Sequence, residues 1–253
     1  MTRRVAAPPR SPYELTAGSA LDDLHPVLRR YFAAIPPGAV GRGSGVFDTV
    51  GTPRRWLWPV LALLARGGVL FPVWEQNVPF SVVNAPLVDR DGKTAVLAVR
   101  RFHFGGGMRE MVDAITAEHR GPGGLADHLG VERRFRVRLF PRVVRGELHL
   151  VSTTLEVRLG RRHLRLPARI IPRVTLVERF DDSARPGTAT TADLGGDGTA
   201  GGGTAGGGTA GGSTADEGTA GEGAQRVSVT VDAPLIGRLY EYTGTFRYEV
   251  GPE

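Results

Sequence analysis

The residues best suited to chemistry are Glu75-Gln76-Asn77, a polar cluster between Trp74 and the apolar run Val78-Pro79-Phe80. Polar groups flanked this way need hydrogen-bond partners if they are buried. They could satisfy backbone groups at a turn, or face a pocket together with Arg100, Arg101 or His103 from a neighbouring strand. Acid–base chemistry would fall to Glu75, His103 or Asp113. Tyr240, in Tyr240-Glu241-Tyr242, is either a packed strand end or a further member of such a site. All three tryptophans, Trp56, Trp58 and Trp74, lie just before or beside the polar cluster. A buried indole N–H needs a partner, so the stretch reads as an apolar chamber with a polar mouth. The expected ligand-binding set is Trp56, Trp74, Glu75, Gln76, Asn77, Arg100, His103 and Tyr240, around an enclosed cavity of at least ~300 Å³, the lower end for ligand pockets.

Other chemistries lack their residues. With no cysteine there is no disulfide framework, thiolate metal site or cysteine nucleophile, which suits a reducing, cytoplasmic setting. His103, His119, His128, His149 and His163 fall at no metal-ligand spacing, so no metal is expected. No GxSxG elbow occurs. Gly41-Arg-Gly-Ser-Gly45 lacks the third glycine of GxGxxG and is followed by no Gly-Lys-Ser/Thr, so it reads as a glycine-rich strand and not a phosphate loop. No cofactor and no catalytic residue is assigned.

The net charge of +6 is uneven: Asp181–Ala224 carries −6, leaving +12 on the rest. Between Arg133 and Arg173 twelve arginines face two acids, Glu147 and Glu156. Glu132–Phe140 alternates, with Phe135, Val137 and Leu139 on one face and Arg134, Arg136 and Arg138 on the other. A solvated sheet face is the first reading of these arginines. Salt-sensitive binding of an anionic surface is the second. Nucleic acid comes third, because no recognition helix or RNP-like motif accompanies them.

The elements that would carry these residues follow from periodicity. Leu21–Ala34 reads as a helix with Leu24, Val27, Leu28 and Tyr31 on one face, provided Pro26 lies in its first turn. Pro53–Ala65 reads as a second helix stopped by Arg66-Gly67-Gly68. Its unbroken apolar run, Trp56–Ala65, is about half of the ~20 residues a membrane-spanning helix needs. A buried core helix is the first reading and an interfacial one the second. From Val78 onward, short strands alternate with turns, which argues for a curved or closed antiparallel sheet. Met108–His119 fits a helical stripe or a strand, and Gly121-Pro-Gly-Gly124 after it favours strand–turn–strand. Asp197–Ala220 repeats a unit ending in Thr-Ala, with nothing to bury, and reads as a flexible linker. Residues 1–20, basic and proline-rich without an apolar h-region, read as a disordered lead-in and not a signal peptide. The expected organisation is one domain over 21–182 and 225–253, interrupted by an insertion over 183–224.

WEQNVPFSVVN, RFHF, LADHLG, ERFDD and the closing PLIGRLYEYTGTFRYE, in that order, resemble the bacterial family catalogued as domain of unknown function 4166. The resemblance covers most of Leu21–Glu249, excluding the repeat. It implies that Met108–Gly130 is strand-like and that a dehydrogenase-like protein is a possible partner. No activity is established for that family. The expected fold is α+β, a strongly curved or barrel-like antiparallel sheet with two N-terminal helices covering one side. The first function reading is a non-catalytic binding domain for a hydrophobic or amphipathic small molecule, lipid included. The alternatives are an enzyme, or accessory domain of an oxidoreductase, using Glu75 and His103, and a protein-interaction module.

Overall fold

The computed structural model describes residues 10–88, 92–118, 124–160, 162–165, 167, 171–184 and 223–253. Within them the chain forms β1 (Ala39–Gly51), β2 (Trp74–Val88), β3 (Thr94–Phe104), β4 (Gly107–Glu118), β5 (Gly124–Leu129), β6 (Phe135–Val144), β7 (Glu147–Leu159), β8 (Arg162–Arg165), β9 (Arg173–Asp181), β10 (Ala224–Ala233) and β11 (Gly237–Pro252). Every pairing is antiparallel. The ring runs β1 to β7 in chain order, then β9, β10 and β11, which returns to β1. Ten strands therefore close a barrel, and β8 is appended to β7 outside the ring. Gly107–Glu118 and Gly124–Leu129 are strands, as the turn signal between them implied.

Three short helices plug the barrel, and they do not share one opening. α1 (Pro12–Ala17) and α2 (Pro26–Phe32) sit at one end, linked by the 3-10 segment Gly18–Asp23. There Leu21, Leu24, Leu28 and Phe32 pack on Ile115, Leu125, Leu139, Leu148 and Leu150. α3 (Trp58–Ala65), preceded by a 3-10 turn over Arg55–Leu57, sits at the other end. There Leu61 and Phe71 pack on Phe47, Phe102, Phe104, Met111 and Tyr240. Pro26 lies in the first turn of α2, where its missing N–H costs nothing.

Residues 10–20, expected to be disordered, fold instead. Ser11 caps α1: its Oγ accepts from Glu14 N at 3.1 Å, and its own N–H donates to Glu14 Oε2 at 2.6 Å. The Ser11 hydroxyl also donates to Phe32 O at 2.6 Å, tying α1 to α2. This S-x-x-E capping box with proline at the first helical position was present in the sequence. The Asp197–Ala220 repeat lies outside the described residues.

The glycines of β1 have a packing role. A β-carbon on Gly41 would stand 1.5 Å from Tyr248 Oη, and one on Gly45 would stand 2.0 Å from the Thr245 carbonyl oxygen. The tyrosine ring thus occupies the place of a missing side chain, and Tyr31 of α2 meets it edge-on at 4.6 Å.

Gly45→Ala is expected to lower stability by roughly 1–3 kcal/mol, the usual cost of overpacking, as read by denaturant unfolding. A second expectation concerns the β9–β10 connection. Asp181 pairs directly with Ala224, so the strands are in register whatever lies between them. Replacing Thr188–Gly223 with a short Gly/Ser turn should leave the melting temperature unchanged or slightly raised, because loop-closure entropy grows only logarithmically with length. Loss of cooperative unfolding would show that the segment packs on the barrel.

Candidate functional site

Between the two plugs lies a cavity of about 220 Å³. Its walls are mostly apolar: Leu64, Val69 and Leu70 from the α3 end, and Leu129, Phe135, Val137, Leu155, Leu176 and Val231 from the strands. Against that lining stand Arg100, Asp113, Asp127, Glu178, Tyr13, Tyr31 and Tyr242. Period two puts the first three there. Arg100 faces Met111 across β3–β4, Asp113 faces Leu129 across β4–β5, and Asp127 faces Ile115. Residues directly opposite share a face, as do residues two apart on one strand. Arg100, Asp113 and Asp127 therefore run diagonally across three adjacent strands, all pointing inward.

The pairing among them is unequal. Arg100 Nη1 donates to Asp113 Oδ1 in a buried ion pair. Asp127 Oδ1 is buried and has no hydrogen-bond partner. Across the barrel, Gln225 Nε2 donates to Glu178 Oε2. One guanidinium thus faces three carboxylates, and only Asp113 is ion-paired to it.

A family model described as domain of unknown function (DUF4166) matches residues 24–187. The chain belongs to this family. The matched span runs from α2 to β9 and contains Arg100, Asp113, Asp127 and Glu178; β10 and β11, which close the barrel, follow it. No curated protein and no solved structure matches the chain.

The DUF4166 barrel gathers only one of the eight expected ligand residues at its cavity, Arg100. Trp56 and Trp74 are exposed, at 60% and 39%, and line nothing enclosed. Trp58, half-buried, donates from Nε1 to Thr52 O at 3.4 Å. Glu75 Oε2 accepts from Gly105 N, in the β3–β4 turn, at 2.9 Å, a structural contact. Gln76 is exposed; Asn77 is exposed too, with φ 53°, a left-handed conformation that asparagine tolerates better than most residues. His103 alternates with inward Phe102 and Phe104, so it faces away from the interior. Tyr240 is buried in the aromatic core at the α3 end. The cavity is also smaller than the expected ~300 Å³.

The arginine face of β6 points outward as expected, yet it is not bare. Arg136 and Arg138 both pair with Glu118, and Arg136 also reaches Glu156 at 3.1 Å. Arg134 pairs with Glu132 at 2.5 Å. Among the described residues no group of three or more His, Cys, Asp or Glu could hold a metal.

Asp127, Glu178 and Gln225 were not singled out by sequence reasoning; Tyr31 was read only as part of a helix face, and Tyr242 only within Tyr240-Glu241-Tyr242. Their signal was present: each strand acid sits where alternation demands an apolar residue. Asp127 falls between Leu125 and Leu129, Asp113 between Met111 and Ile115, and Glu178 between Leu176 and Phe180.

Burial sets the protonation of this interior. It pushes Asp127 well above the usual carboxylate range, and the nearby Asp113 carboxylate pushes the same way while Arg100 opposes it. Burial raises Glu178 to about 7, against the Gln225 hydrogen bond and Arg100. Burial raises Tyr242 to about 12, keeping its hydroxyl a neutral donor.

Glu178 yields a test with a definite sign. Its folded pKa lies above the unfolded value, so the folded state holds a proton that the unfolded state has lost. Stability then falls as pH rises from about 4.5 to about 7 and levels off above. Glu178→Gln keeps an oxygen to accept from Gln225 and removes the titration. Relative to wild type, the variant should gain stability between pH 5 and pH 8 by up to about 3 kcal/mol, read from denaturation at each pH. A constant difference across that range would show that Glu178 is not held protonated.

Proposed function

We propose that the DUF4166 barrel binds an amphipathic small molecule in its interior. The apolar body lies among Leu129, Val137, Leu155, Leu176 and Val231, and the polar end donates hydrogen bonds to Asp127. The observation that carries this reading is the buried, unpartnered Asp127 Oδ1 on a cavity wall whose arginine already serves Asp113. Leaving such an oxygen unsatisfied costs roughly 1–3 kcal/mol, more for a charged group. A donor on the ligand removes that cost. A mainly apolar cavity with a few convergent polar groups is the usual make-up of small-molecule sites. The cavity volume of about 220 Å³ restricts the occupant to a slender molecule. The excess of carboxylates over arginine favours an amine or hydroxyl end and disfavours a carboxylate such as a fatty acid's.

Calorimetric titration with octylamine, 1-octanol and octanoate tests both parts of this reading. Octylamine is expected to bind at least roughly tenfold more tightly than octanoate. Asp127→Asn should abolish most of that preference and leave octanol binding within a few-fold. Amine binding needs the ionised carboxylate, and Asp127 holds its proton to higher pH than an ordinary aspartate. Octylamine affinity should therefore rise with pH, in a site where Asp113, Glu178 and Arg100 also face the ligand. Octanoate binding as well as octylamine would refute the donor end; no binding by any of the three would refute the interior site.

A further inference from the structure

Among the described residues, large apolar side chains left in solvent gather at the α3 end of the barrel. Trp56, Val60 and Leu63 are 60%, 58% and 63% exposed. Val131, on the β5–β6 turn, is 71% exposed, and Leu235 and Ile236, on the β10–β11 turn, are exposed as well. These turns adjoin the α3 segment. Val131 N donates to Gly67 O at 3.1 Å, and the Arg54 guanidinium lies beside Gly237.

The helix itself accounts for the patch. α3, WPVLALLA, is apolar on every side, a composition normally found in fully buried helices. Here only one side is covered: Leu61 is buried and Leu64 lines the cavity, while Val60 and Leu63 face out. Contiguous exposed apolar surface of this kind marks an interaction site.

The rim identifies the occupant. Of the acids near the patch, Glu132 beside Val131 pairs with Arg134, and Asp232 and Glu241 pair with Arg238, while residues 51–74 contain Arg54, Arg55 and Arg66 and no acid. Among the described residues none of these three arginines forms an ion pair. Arg55 lies 5.5 Å over the Trp58 ring. A second copy docked through the same face by two-fold symmetry would set this basic rim against itself. No α-helix among the described residues is long and apolar enough to cross a membrane, which leaves a surface contact for α3. Tryptophan at the headgroup level, aliphatic residues just below it and arginines reaching phosphates is the make-up of an interfacial helix on anionic lipid.

We propose that the α3 end of the barrel docks on the surface of an anionic lipid bilayer. Trp56, Val60 and Leu63 lie at the headgroup–acyl boundary, and Arg54, Arg55 and Arg66 contact lipid phosphates. This docking stands whether or not the cavity holds a ligand.

Co-sedimentation of the full chain with vesicles tests it. Binding is expected to mixed phosphatidylcholine/phosphatidylglycerol vesicles, and to be weaker on phosphatidylcholine alone. Leu63→Glu should reduce it to background, whereas Val144→Glu, exposed at the opposite end, should bind like wild type. Arg54→Gln with Arg55→Gln should weaken binding to anionic vesicles roughly thirtyfold, at the usual gain per basic residue near such a surface. Thermal melts establish that each variant is folded, and Trp56→Phe should remove most of the vesicle-induced blue shift in tryptophan emission. Failure of folded wild type to bind anionic vesicles would overturn the proposal. So would Leu63→Glu binding unchanged, or a solution dimer that Leu63→Glu dissociates in the absence of vesicle binding.

Discussion

Closing a sheet of ten strands removes every edge from the ring and creates an inside that must be filled or occupied. Nearly everything else in this structure answers that constraint. The aromatic cluster around Phe47, Phe80 and Phe102 fills one end, and the leucines of the N-terminal segment fill the other. The middle is left to fewer side chains, several of them charged. In such a setting a carboxylate cannot be ignored. It must pair, as Asp113 does with Arg100, or accept from an amide, as Glu178 does from Gln225, or hold its proton.

The plugs differ in how they are held. The α1–α2 plug is tied by specific polar contacts: the Ser11 hydroxyl on the Phe32 carbonyl, and His25 capping α2 through Nδ1. His25 also stacks on Phe180 at 4.0 Å. The α3 plug rests chiefly on apolar packing and on backbone bonds from the loop that follows it, where Gly68 O accepts from Val112 N and Gly67 O from Val131 N. One end is fixed by directional bonds, and the other presents apolar surface on both sides of a short helix.

Much of the fold was legible in the sequence because closed antiparallel sheets follow a period of two. Phe135, Val137 and Leu139 against Arg134, Arg136 and Arg138 gave the correct inward and outward faces of β6. The proline–glycine signal in the sequence separated β4, ending at Glu118, from β5, starting at Gly124. The site was far less legible. Tryptophans and a compact polar cluster drew attention to Trp74–Asn77, yet Glu75 holds the β3–β4 turn through Gly105 N and Asn77 takes a left-handed backbone conformation near the start of β2. The groups that face the cavity come from five strands and two helices, and no local window contains two neighbouring members. Single acids on apolar strand faces were the available clue. Its weakness is physical: alternation identifies the face, but only closure of the ring brings the faces of β3, β4, β5 and β9 together. Of the N-terminal plug, α2 was legible as part of Leu21–Ala34, whereas α1 was missed for a different reason. Its proline content masked a capping box four residues long.

The direct pairing of Asp181 with Ala224 bears on how this gene can vary. Tandem short repeats such as those at 197–220 gain and lose units readily when DNA is copied. Because the two strands meet in register at the base of the insertion, adding or deleting a unit shifts no residue from one sheet face to the other. A change in the number of units therefore leaves the pairing of β9 with β10, and the inward face that Leu176 and Glu178 share, to be set by the strands themselves.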